Sequence, residues 1–190
     1  MSSTVLSTRE TRGPVRDFEY TFRKLRKCLH IYVADTGRCG LGIFAAKNFK
    51  TGDSIIVDVD GDYYDQVLSY KELRQLGISL DITLQVGLDA YKLPTGSLED
   101  FTNHSCNPNT GIKLVPRGTI VLALRNIEEH EELTYDYSTY LSNHYEVMNC
   151  RCGSEMCRGM IGSFNSLPNE LKERYLRLGI VGDFATEVRL

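Results

Sequence analysis

Cys150-Arg151-Cys152-Gly153-Ser154-Glu155-Met156-Cys157 sets three thiols into eight residues as C-x-C-x4-C. Thiolates so spaced can wrap one tetrahedral zinc at about 2.3 Å from each sulfur, and a closed structural site needs a fourth ligand. That ligand must come from elsewhere in the chain; Cys106 is the obvious candidate and His104 the alternative. The plainer explanation, three ordinary buried cysteines, fits a tight glycine-containing loop poorly. The two remaining thiols, Cys28 and Cys39, read as small buried or free cysteines rather than ligands of a second metal.

Upstream of the cysteines lie three further stretches that are weak when taken singly. Asn103-His104-Ser105-Cys106-Asn107-Pro108-Asn109 is dense in hydrogen-bonding side chains and broken by proline, which by itself describes a turn. Glu131-Glu132-Leu133-Thr134-Tyr135-Asp136-Tyr137 carries two tyrosines two residues apart, which share one face of an extended segment and alone suggest packing. Gly37, Gly40 and Gly42 crowd a turn that leads into Ile43-Phe44-Ala45-Ala46.

The surrounding texture is that of short strands and tight loops. Leu29 to Val33 and Ser54 to Val59 are β-branched runs bounded by turn residues. Ile112 to Val115 and Thr119 to Leu124 flank Pro116-Arg117-Gly118 as a hairpin. Ser69 to Leu76 has helical spacing, and the segment after Leu167-Pro168, with Leu171, Tyr175 and Leu178, predicts a helix that stops near Gly179. The fold class expected is mostly β with peripheral helices, an α+β domain. Residues 1–28 are expected to be a leader, 29–140 the main domain, 141–163 a cysteine-rich segment and 164–190 a helical tail.

The 190 residues, 42% hydrophobic, suffice for one well-cored domain. With no apolar run of eighteen residues and no signal-like N-terminus, neither a membrane span nor secretion is indicated, and an intracellular (cytoplasmic or nuclear) protein is expected. A net charge of −3 argues against direct nucleic-acid binding, which usually needs a clustered basic surface, and accommodates a cationic partner more easily. The acidic run Glu128, Glu129, Glu131 and Glu132 suits either a groove for a basic peptide or a solvated face. Nothing in the sequence specifies an oligomeric state.

In chain order, Gly40-Leu41-Gly42, Asn103-His104-Ser105-Cys106, Glu132-Leu133-Thr134-Tyr135-Asp136-Tyr137 and C-x-C-x4-C resemble the SET-domain protein-lysine methyltransferases that carry a post-SET segment. The resemblance covers about residues 29 to 162, and four ordered motifs are far more specific than any one of them. It implies a SET-domain fold of several small sheets with a knot-like crossing near the active site. It further implies S-adenosylmethionine as methyl donor, bound by Gly40, Leu41, Gly42, Asn103 and His104, and one structural zinc on Cys106, Cys150, Cys152 and Cys157. Met160 and Ile161 would add apolar surface to the cofactor or the lysine channel, or simply pack. Tyr137 matches the family's catalytic tyrosine, and Tyr135 the position at which the family carries Phe or Tyr.

Methyl transfer to lysine is an in-line displacement that needs a neutral amine, although free lysine titrates at about 10.4. A sulfonium cation nearby and an apolar channel both lower that value, so no dedicated base is required. A hydroxyl at Tyr135 leaves less room for an already methylated nitrogen, so mainly monomethylation is expected. The expected partner is a lysine-containing protein, histone or ribosomal. An inactive SET-type module that binds lysine-bearing partners is the alternative, and a purely structural zinc-stapled domain the third reading. Two departures from the family stand out. Asp58-Val59-Asp60-Gly61-Asp62 lacks the tyrosine of Glu-Tyr-x-Gly-Glu, with Tyr63 or Tyr64 as its replacement, and Asp100-Phe101-Thr102 stands where many members have Arg-Phe-Ile.

Overall fold

In the computed structural model, residues 30–58, 67–94, 98–116, 118–142 and 148–187 are described. The first β-branched run forms β1 (Ile31–Asp35) and returns antiparallel as β2 (Leu41–Ala45). Between them Gly37 and Gly40 take φ of 70° and 79°, a left-handed backbone that glycine alone adopts without strain. β3 (Ser54–Asp58) and β4 (Val67–Leu68) follow, then helix α1 (Tyr70–Leu76). Ser69 caps α1 in a reciprocal box with Glu72, which is why the helix starts one residue later than its sequence spacing suggests.

Strands β5 (Leu84–Gly87) and β6 (Ala90–Lys92) complete a small sheet in the order β4-β6-β5. After β7 (Asn103–His104), the expected hairpin appears as β8 (Thr110–Val115) and β9 (Gly118–Ala123), and β3 joins it in the order β3-β9-β8. β10 (Glu132–Tyr135) inserts between β2 and β7 to give β1-β2-β10-β7, pairing antiparallel with β2 and parallel with β7. β11 (Met148–Asn149) and β12 (Met160–Ile161) pair across the cysteine-rich loop, and helix α2 (Asn169–Leu178) follows. Among the described residues, small sheets with two helices at their margins match the expected fold class.

The core lies between the β1-β2-β10 and β3-β9-β8 sheets, where Ile43, Leu133, Ile112 and Val121 are buried. α2 closes one side, with Tyr175 buried and Gly179 in the left-handed C-cap conformation that ends the helix as the sequence predicts. The chain beyond it turns Ile180 onto Gly111 of β8, where an added Cβ would stand 2.7 Å from Ile180 Cδ1. Among the described residues no helix is long and apolar enough to cross a membrane. The expected leader 1–28, together with Tyr63 and Tyr64, lies outside the described residues.

The Gly111 contact makes the docking of the tail testable. Gly111→Ala is expected to lower the stability read by urea unfolding by about 1–3 kcal/mol, because the β8 backbone cannot withdraw from Ile180.

Candidate active site and metal centre

β2, β7 and β10 lie side by side, so the Gly-Leu-Gly, Asn-His and tyrosine motifs meet in one place. Asn103 Nδ2 donates to the Leu41 carbonyl at 3.1 Å and to Glu132 Oε1 at 3.0 Å. Arg38, in the turn before Gly40, pairs with Glu132 and also donates to the Cys152 carbonyl, so it ties this cluster to the cysteine loop. At Gly42 a Cβ would fall 2.6 Å from Thr36 Cγ2 and 2.9 Å from Asn103 Nδ2, so no side chain fits. At Gly40 nothing lies within 4 Å of that point, which leaves an open ledge beside acceptor-rich groups. Backbone carbonyls, an Asn amide and a carboxylate suit a cationic ligand that also carries amino-acid polar groups.

Tyr135 ends β10, but Tyr137 does not continue the strand: Asp136 caps a 3-10 turn over Tyr137–Tyr140. The two rings nevertheless meet, with centroids 4.8 Å apart at a 40° tilt. The Tyr137 hydroxyl donates to the Thr102 carbonyl at 3.0 Å. Burial, with smaller contributions from Cys39 and Glu132, pushes the Tyr137 phenol well above its ordinary value, so it remains a neutral donor. Both rings line a narrow cavity of about 90 Å³, together with Thr102, Tyr140, Leu84 and Asp100. Asp100 is exposed at that cavity.

His104 turns its ring from this cavity toward the cysteines. Its Nδ1 accepts the Tyr137 N–H at 3.2 Å, and its Nε2 lies 3.3 Å from Cys106 Sγ. Burial lowers the imidazole to about 4, opposed by Asp136 and reinforced by Arg158, so the ring is neutral at pH 7. With Nδ1 accepting, the single ring hydrogen belongs on Nε2, pointing at the Cys106 sulfur.

The ligand atoms of His104, Cys106, Cys150 and Cys152 all lie within 4.8 Å of one another. Cys106 Sγ and Cys150 Sγ are 3.6 Å apart. That spacing fits the edge of a tetrahedron with metal–sulfur bonds of about 2.3 Å, whose edge is roughly 3.8 Å. Cys157 is more exposed; its sulfur accepts Gly159 N–H at 3.4 Å and interacts with the Cys150 and Cys152 thiols. Burial pushes Cys106 and Cys150 up. At Cys152 burial is outweighed by hydrogen bonds from the Cys106 and Ser154 backbone and from neighbouring thiols, leaving it at about 7. A thiol cluster of this kind loses its protons when a metal binds. Cys39 is exposed and takes no part.

Three residues that the motifs did not single out complete the arrangement. Asp136 has a fully buried carboxylate, held in a bidentate pair by Arg158 at 2.8 Å to each oxygen. Tyr175 of α2 also donates to it, at 3.2 Å. Burial of Asp136 leaves no periodic mark in a six-residue motif, whereas Arg158, directly after Cys157, was open to notice as a cation beside the cysteines. Of the acidic run, Glu131 and Glu132 turn inward to Arg125, Asn109, Arg38 and Asn103, and Glu128 and Glu129 stay exposed. The run is therefore part brace and part solvated face. Apart from Asp58, the departure at Asp58 to Asp62 lies outside the described residues.

Residues 40–138, more than half of the chain, match the SET domain family. The chain is 32% identical over 166 residues to histone-lysine N-methyltransferase ASHR3 of Arabidopsis thaliana, covering 77% of this chain and 31% of the relative. It is 38% identical over 113 residues to histone-lysine N-methyltransferase ash1 of Drosophila melanogaster, covering 53% of this chain and 5% of the relative. It thus spans less than a third of the length of these curated relatives. Among solved structures, KRYPTONITE in complex with mCHG DNA and SAH shares the fold, with a TM-score of 0.50 and 20% identity over 69% of this chain and 28% of that one. The match over residues 40–138 establishes that this chain belongs to the SET-domain family.

Proposed function

We propose that this chain is an S-adenosylmethionine-dependent protein-lysine N-methyltransferase whose main product is monomethyl-lysine. The observation that carries the reading is the Tyr137 hydroxyl, fixed on the carbonyl of Thr102, the neighbour of Asn103, at a cavity that Tyr135 also lines. S-adenosylmethionine supplies an electrophilic methyl on a sulfonium when bound. The Leu41 carbonyl and the Glu132 carboxylate, braced by the Asn103 amide, line the ledge on which that cationic donor would rest, and the cavity would admit the lysine side chain. The Tyr135 and Tyr137 rings give the cavity an apolar wall, which favours the uncharged amine. Tyr137, held protonated by burial, places the reacting groups and takes no proton. Asp100 at the cavity adds a negative charge that suits a basic substrate segment, such as a histone or another basic protein, met in the nucleus or cytoplasm.

Cys106, Cys150, Cys152 and Cys157 are the proposed zinc ligands. His104 is the neighbouring candidate by distance, but with its ring hydrogen on Nε2 it is a hydrogen-bond donor to the Cys106 sulfur instead of a ligand. Zinc there would tie β7 to the cysteine-rich segment and keep that segment over the site.

Three outcomes follow from these assignments. Tyr137→Phe should lower kcat on lysine peptides by about 10²-fold while thermal stability stays near that of the parent, measured by mass spectrometry of the methylated peptide. Failure of the parent to bind S-adenosylmethionine or to methylate any of a pool of lysine-bearing proteins would instead favour the inactive binding module. Tyr135→Phe should raise the share of di- and trimethyl product in the same spectra; an unchanged product distribution would remove Tyr135 as the product switch. Cys106→Ser should lose most bound zinc, read by metal analysis of the purified protein, and should lose activity at temperatures where the core remains folded.

A further inference from the structure

The turn that presents Tyr137 is built on one buried carboxylate. Asp136 Oδ1 accepts the Ser138 N–H at 3.1 Å, and the Asp136 carbonyl takes both the Thr139 N–H at 3.0 Å and the Thr139 hydroxyl at 2.7 Å. The Tyr137 N–H is meanwhile fixed on His104 Nδ1. The direction in which Tyr137 leaves the backbone is therefore set by how Asp136 is held. Arg158 supplies one hydrogen bond to each carboxylate oxygen and reaches on to Ser138 Oγ at 3.3 Å. The remaining bond to Oδ2 comes from the Tyr175 hydroxyl, 39 residues along the chain on α2.

Tyr175 is the one fully buried residue of helix α2; Leu171 packs partly buried against the core, and Leu176 and Leu178 face solvent. A phenylalanine would serve such a helix equally well for packing alone, since the ring, not the hydroxyl, fills the space. A hydroxyl in this place is aimed at a charge. Burial, then the Asp136 charge, holds the Tyr175 phenol in its neutral, donating form.

We propose that Tyr175 is a positioning residue for methyl transfer: its hydroxyl completes the hydrogen bonding of the Asp136 carboxylate and so fixes the turn that carries Tyr137. The C-terminal helix thereby belongs to the working site although none of its residues lines the cavity. The carboxylate has acceptor positions for about four donors, and Ser138, Arg158 twice and Tyr175 fill them. With the Tyr175 donor removed, Asp136 and Arg158 are free to rotate as a pair about the remaining bonds, and the turn loses one of its fixed directions. The inference rests on the methyltransferase reading for its kinetic consequence but not for its structural one.

The test is Tyr175→Phe in the zinc-loaded full chain, which keeps the buried ring and removes one donor. kcat on a lysine peptide should fall about tenfold, while KM for the peptide and the Kd for S-adenosylmethionine stay within about twofold, as expected for a group that acts on alignment and not on binding. In an Asp136→Asn background the same substitution should add less than about twofold, since both act through one carboxylate. The ring resonances of Tyr137, assigned by their loss in Tyr137→Phe, should shift in Tyr175→Phe. An unchanged kcat per folded molecule, effects of Tyr175→Phe and Asp136→Asn that simply multiply, or unmoved Tyr137 resonances would each overturn the proposal. If the parent transfers no methyl group to any lysine, the methyltransferase reading fails by itself, and the resonances still decide whether Tyr175 positions Tyr137.

Discussion

The ion pair between Asp136 and Arg158 is the interaction on which the rest of this structure depends. Asp136 stands between the two tyrosines that face the cavity, with its side chain fully removed from solvent. A buried carboxylate is tolerated only when its charge is paired and its lone pairs are filled, and removing one partner of such a pair typically costs about 3–5 kcal/mol. Arg158 meets that demand from the residue directly after the last cysteine of the cluster. The cysteine-rich segment is therefore tied to the tyrosine turn by charge as well as by any metal.

This arrangement explains why several weak motifs converge. The Arg158 N–H donates to Cys106 Sγ at 3.3 Å, and Cys106 follows two residues after His104, whose ring supports the Tyr137 backbone. Arg38 performs a similar service on the opposite edge, joining the turn before Gly40 to Glu132 and to the Cys152 carbonyl. Thiols, imidazole, carboxylate and glycine turn thus share partners. A disturbance at the cysteines would be felt at the tyrosines through contacts of one or two bonds, without a long-range pathway.

Much of the fold was legible in the sequence, and the reasons are local. The hairpin around Pro116 and Gly118, the stop at Gly179 and the strand after Gly40 each follow from backbone preferences that act within a few residues. The parallel pairing of Asn103–His104 with Thr134–Tyr135 was not legible from periodicity, because a two-residue strand has no period; only the ordered motifs pointed to it. Tyr135 and Tyr137 illustrate a subtler limit. Their spacing suggests one face of a strand, yet the chain leaves the strand at Asp136, and the rings meet across a capped turn. Tyr175 reads in sequence as one apolar position of an amphipathic helix, since the charge that its hydroxyl serves lies on a distant segment.

The central claim, that one site holds a methyl donor and a lysine on opposite sides of Tyr137, is tested most directly by a crystal structure of the zinc-loaded chain with S-adenosylhomocysteine and a lysine peptide. The account predicts the cofactor against Gly40–Gly42 and Asn103, the lysine between Tyr135 and Tyr137, and the sulfur in line with the lysine nitrogen beside the Tyr137 hydroxyl. A cofactor bound away from the Gly40–Gly42 ledge, or a lysine that does not enter between the two tyrosines, would contradict it.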